Sequence, residues 1–171
     1  MRLGALLVAC VLILGCSGGG PPPAPTPGPT PTRAAVSDSD RAYVRDICRA
    51  FNKYVTTLGA ATQRDPRLYS DQKAFLKVAA PVLDTFARDL AKAKPPKDLA
   101  NFHGALVERI KTTATKAKAG VLLTPDELGG ISKNAPLPPV TVRDRLTEAA
   151  ETLPECENSG GTDALFGDTG E

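Results

Sequence analysis

The chain has 171 residues, of which 42% are hydrophobic and 23% charged, with a formal net charge of +2. That is enough for one modest core and leaves no room for a second domain. With no Trp, 3 Tyr and 5 Phe, it offers little aromatic surface on which bases could stack, and no nucleic-acid partner is expected.

Composition divides the chain into four parts: residues 1–15, 16–36, 37–158 and 159–171. Met1-Arg2 gives a short positive start. Leu3 to Gly15 is an apolar run of about 13 residues, the length of a signal-peptide core and too short to span a bilayer as a helix. Ile13-Leu14-Gly15-Cys16 follows. A branched apolar residue, a second apolar residue, a small residue and then Cys resembles the lipobox of bacterial lipoproteins. The resemblance implies that the Cys16 thiol receives a diacylglyceryl group and that cleavage falls between Gly15 and Cys16. Leu7-Val8-Ala9-Cys10 is a rival with a better second position. It leaves an apolar run of only about six residues, which favours Cys16. An ordinary secretory signal with an incidental Cys is the plainer alternative.

Residues 17–36 hold seven prolines and no apolar side chain larger than Ala before Val36. Such a segment cannot bury enough surface to offset its ordering entropy. It reads as a semi-rigid spacer, part polyproline II, reaching ~50 Å at ~3.1 Å per residue. That suits holding a domain away from a lipid surface. Its threonines could carry O-linked sugar.

From Ser37 onward, apolar residues step by three and four, the period of helices, and no segment alternates as strands do. Helix one carries Val44, Ile47, Cys48, Phe51, Val55 and Leu58, with Ser37 and Asp40 spaced as a capping box and Gly59 just past the stripe. Helix two starts near Asp65 or Ser70, and Asp65-Pro66 offers an N-cap followed by Pro. Leu68, Gln72, Phe75, Ala79, Leu83, Phe86 and Leu90 share its face. Pro81 predicts a kink or short break near Val78 to Pro81, and Pro95-Pro96 ends the element. Helix three runs from about Lys97 to Ala119 on Leu99, Phe102, His103, Leu106, Ile110, Thr113 and Ala117, and Gly120 stops it. Val121 to Pro139 reads as loop with one turn near Thr124 to Leu128. Helix four is capped by Thr141, lined by Val142, Leu146, Ala149, Ala150 and Leu153, and stopped by Pro154. The Gly-rich, acidic residues after Asn158 are expected to be disordered.

Short connections favour antiparallel neighbours, so the fold class read here is all-α, an up-down four-helix bundle. Cys10 leaves with the signal and Cys16 carries lipid, so Cys48 and Cys156 remain in an oxidising compartment. They pair most simply with each other, closing a loop of about 109 residues, for which the chain-entropy argument gives at most ~4.7 kcal/mol. Two buried thiols are the alternative. A metal site is disfavoured because two Cys and one distant His lack zinc-ligand spacing. In the up-down topology helix four runs antiparallel to helix one, so Cys156 lands near the N-terminal half of helix one, where Cys48 lies, and the bridge and the topology agree.

Leu90-x-x-x-x-Pro95-Pro96-x-Asp98-Leu99-x-x-x-His103-x-x-Leu106 is similar to a pattern in exported helical-bundle lipoproteins of bacteria. So is a helix-one Cys in Asp46-Ile47-Cys48-x-x-Phe51 with Leu153-Pro154-Glu155-Cys156 closing the domain. The resemblance covers about residues 44–156 and implies fold and location, with no activity attached.

Little points to catalysis. His103, the one His in the chain, lies beside Phe102 and Leu106 and reads as a packed residue bonded to a loop carbonyl. General acid–base work needs a partner in reach, and Glu108 is off its face. There is no nucleophile elbow, phosphate loop, zinc motif or haem attachment, so no metal or cofactor is expected. Arg109, Lys111, Lys116 and Lys118 read as the solvent side of helix three, a possible contact for anionic lipid or polymer; the plainer reading is a solvated face balanced by acidic residues further on. The expected function is a non-catalytic protein, monomeric and held by lipid on the outer face of the cytoplasmic membrane or on the outer membrane. It would bind or scaffold an envelope protein through the bundle. A bundle that delivers a small ligand or ion to a membrane partner is the alternative.

Overall fold

A computed structural model describes residues 35–124, 127 and 137–157. The chain divides into two units, Met1–Thr32 and Arg33–Glu171. The whole first unit, and with it the lipobox, Cys10 and Cys16, lies outside the described residues, as do most of the linker and the acidic tail.

Among the described residues there are four α-helices and no strand: α1 (Asp38–Arg64), α2 (Gln72–Leu90), α3 (Ala100–Lys118) and α4 (Val140–Glu151). Ser37 caps α1 as expected. Its hydroxyl accepts from the Asp40 N–H at 3.1 Å, and the Asp40 carboxylate accepts from the Ser37 N–H at 2.9 Å, so two otherwise orphaned donors are satisfied.

Several boundaries differ from the sequence reading. α1 does not end at Gly59 but continues to Arg64. A single Gly costs a helix only ~1 kcal/mol, and the residues beyond it carry helical hydrogen bonds. Asp65 and Pro66 open a separate 3-10 turn, Pro66–Tyr69, while Asp71 caps α2 by accepting from the Ala74 N–H at 2.9 Å. No break occurs at Pro81: α2 is continuous through it. Pro81 has no N–H, so the Lys77 carbonyl lacks its usual partner one turn on. A 3-10 turn, Lys97–Leu99, precedes α3. Pro139, not Thr141, stands at the start of α4, and no side chain caps it.

Gly120 does end α3. Its φ of 71° is one that a side chain would resist, and the Val121 N–H reaches back to the Lys116 carbonyl at 3.0 Å, which closes the helix in a Schellman turn. After it the Glu127 carboxylate accepts from the Thr124 N–H at 2.9 Å; the other residues of the turn expected there lie mostly outside the described residues.

The stripes meet in one core. Tyr43, Val44, Ile47 and Cys48 from α1, Leu76, Leu83, Phe86 and Leu90 from α2, Leu106 and Ile110 from α3 and Leu146 from α4 are almost wholly buried. Each large aliphatic or aromatic side chain so placed contributes about 1.5–3 kcal/mol of transfer free energy. Two assignments move. Val55 is 47% exposed, and Tyr54 packs instead, stacked on Phe86 with ring centroids 4.8 Å apart. Gln72 is exposed, and Leu76 takes the core position on α2.

α2 packs against both α1 and α3, and α4 packs on α1. α1 and α2 are antiparallel, since Lys53 pairs with Asp89 while Thr57 lies with Pro81 and Val82. α2 and α3 are antiparallel as well, for Gln72 at the start of α2 donates to the Leu123 carbonyl just beyond α3, at 3.4 Å. α4 corrects the expected topology. Asp40 meets Arg145, and further along both chains Cys48 meets Cys156 and Arg49 meets Glu155. Contacts that climb both segments together cannot come from an antiparallel pair. α3 therefore ends at the opposite end of the fold from the one where α4 begins.

Candidate functional site

The Cys48–Cys156 disulfide is present, with Cα atoms 5.3 Å apart. Cys48 lies in the buried stripe of α1, and Cys156 ends the 3-10 turn Pro154–Cys156. The seam around it is polar. Arg49 donates to the Glu155 carboxylate at 2.7 Å, Arg45 approaches the same oxygen at 3.7 Å, and the Asn52 amide donates to the Glu155 carbonyl at 2.7 Å. Glu155's own backbone, Arg49 and Arg45 together hold its carboxyl below the usual carboxylate range.

At the end where α1 and α3 begin, Arg145 joins three elements. Its Nε donates to Asp40 at 3.1 Å and its Nη2 to Asp98 at 2.6 Å. Burial works against the guanidinium charge, but the two carboxylates outweigh it and raise its pKa above the ordinary value. This junction ties α4 to the first turn of α1 and to the approach to α3.

His103 is buried, as expected, but its partner is not a loop carbonyl. Its Nδ1 shares a hydrogen bond with the Tyr43 hydroxyl at 3.3 Å, and the rings meet edge to face. Burial lowers the His103 pKa and raises that of Tyr43, so both are neutral near pH 7 and the pair is a packed, uncharged contact.

The four basic residues of α3 do not form one face. Residues seven apart share a side of a helix, and residues two apart lie about 160° apart. Arg109 therefore sits with Lys116, and Lys111 with Lys118, on opposite flanks. Arg109 is half-buried, Lys111 pairs with Glu108 at 2.7 Å, and Lys116 pairs with Glu127 at 2.6 Å. The Lys116 ammonium, with the Thr124 N–H, pushes the Glu127 carboxyl down to about 2. Lys118 belongs to a different constellation: it lines a groove of about 670 Å³ between α2 and α3, together with Lys73 and Lys77. Sequence reading missed the two α2 lysines, although their four-residue spacing puts them on one side of that helix.

Among the described residues, no group of three or more His, Cys, Asp or Glu side chains could hold a metal ion, and no helix is long and apolar enough to cross a membrane. No family model, curated protein or solved structure matches the chain.

Proposed function

We infer that this chain is a non-catalytic, lipid-anchored cell-envelope protein of the bacterial type. Cys16 is its attachment point, and a disulfide-tied four-helix bundle is its working part. The observation that carries the reading is the run Ile13-Leu14-Gly15-Cys16 after a charged start and an apolar segment, followed by a proline-rich spacer. The Cys48–Cys156 bridge supports export, because such bonds persist in oxidising compartments. Two acyl chains on one Cys give stable anchoring where a single chain is marginal.

The bundle binds or scaffolds an envelope partner on this reading. The groove between α2 and α3 favours a second one, in which the bundle holds a small ligand. Replacing Cys16 by Ser in a bacterial host tests the anchor. The variant is expected in the soluble exported fraction, or unprocessed, with no acyl mass on the protein. Normal processing and membrane retention of Cys16→Ser, through Cys10 or otherwise, would sink the assignment.

A further inference from the structure

The groove between α2 and α3 combines an apolar floor with a basic rim. Leu76 and Ala80 from α2 and Ala114 and Ala117 from α3 form the floor, all buried. Alanine at three of these four positions leaves space where longer side chains would close it. A volume of about 670 Å³ falls within the ~300–1,000 Å³ typical of small-molecule sites. Beyond Gly120, which lines the groove, Val121 and Leu122 are 49% and 63% exposed. Apolar surface therefore continues past the end of α3.

Lys73, Lys77 and Lys118 line the same groove and are exposed. Lys53, Lys111 and Lys116 each meet a carboxylate, whereas Lys73, Lys77 and Lys118 have no ion pair among the described residues. Asp84, the one acidic side chain among the described residues of the lining, is held by Arg88 at 3.3 Å. The arrangement works against the fold. Lys73 and Lys77 repel one another across a single helical turn, and Lys73 stands in the first turn of α2, where the helix dipole disfavours a cation. Positive charge held there with no ion pair among the described residues fits an anion from outside.

We propose that this groove binds an anionic phospholipid-type amphiphile. Its acyl chain lies along the alanine floor, and its phosphate sits among Lys73, Lys77 and Lys118. The proposal gives the ligand-binding reading a ligand class and does not depend on Cys16.

The test uses the full chain carrying Cys16→Ser, which leaves the groove untouched, and calorimetry with three probes. These are dioctanoyl-phosphatidylglycerol, dioctanoyl-phosphatidylcholine and inorganic phosphate. The anionic lipid is expected to bind at least about tenfold more tightly than either of the others, and added salt weakens it. Replacing Lys73, Lys77 and Lys118 together by Ala weakens it by about tenfold or more. Thr115→Phe, an exposed groove position, weakens it by obstructing the floor. Both variants retain the parent's circular dichroism, since none of these side chains is in the core. Equal binding of the two lipids, phosphate binding as tight as the anionic lipid, or binding indifferent to the lysines would each overturn the proposal. So would no binding of the anionic lipid at all. None of these results bears on the anchor, and a Cys16→Ser chain that remained anchored would leave the groove proposal standing.

Discussion

Arg145 lies 3.1 Å from Asp40 across 105 residues of sequence, and Asp40 is only 2% exposed. The aspartate performs two tasks: one oxygen caps α1 through Ser37 and the other receives α4. Removing the guanidinium leaves a buried carboxylate with only its cap. Arg145→Met is expected to cost about 3 kcal/mol. Combining it with Asp40→Asn should cost less than the sum of the single changes, because no charge is then stranded. Urea unfolding of the two single variants and the double variant measures this coupling; additive losses would show that the pair is not coupled.

The bridge between Cys48 and Cys156 spans a sequence separation of 108. Replacing both cysteines by Ala should lower stability by about 2–4 kcal/mol while leaving the helical circular dichroism spectrum in place. Peptide mapping without reduction should recover the two cysteines in one linked fragment. Free thiols at both positions, or a dimer linked through Cys156, would contradict the structure.

Pro81 stands inside α2 on its exposed side. Pro81→Ala restores the N–H facing the Lys77 carbonyl and removes a helix-breaking residue worth ~3 kcal/mol by propensity. Part of that is offset, since Pro also restricts the unfolded chain. A net gain of about 1–2 kcal/mol is expected, read as a higher urea midpoint at unchanged slope.

Burial lowers the His103 pKa below its ordinary 6.5. Between that value and the lower folded-state pKa, the unfolded chain binds the proton and the native one does not. Stability therefore rises with pH through this window, and falls on acidification below 6.5. His103→Gln keeps a polar partner for Tyr43 and removes the titration. Measured from about pH 8 down to about pH 5, the parent should lose more thermal stability than the variant. Parallel curves would show that His103 is not held neutral.

The helical class was legible in the residues themselves. Every apolar position assigned to α3 and α4 is buried, because a helix packed on one side must repeat its stripe every three or four residues. The Ser37–Asp40 cap was legible for the same local reason. What failed was non-local. The disulfide was expected from the count of cysteines left after export, with an antiparallel α4 as its check; the bridge exists, although α4 runs the other way. The length of the segment from Val121 to Pro139 already permitted a crossover that short connections forbid. The Arg145 junction joins residues 47 and 105 positions apart, and no periodicity marks such a meeting. The basic residues of α3 were grouped by closeness in sequence, where their angular spacing separates them into two flanks. The lysine groove was hidden because it is shared by two helices.

The Cys48–Cys156 bond encloses α2, α3 and α4 in a covalent ring. A single peptide-bond cut anywhere between residues 48 and 156 yields two chains that stay joined. If the N-terminus is fixed to a membrane, the severed C-terminal piece stays with it until a reductant arrives. An extracellular protease could thus nick the domain without shedding any of it, and the nick would be visible only after reduction.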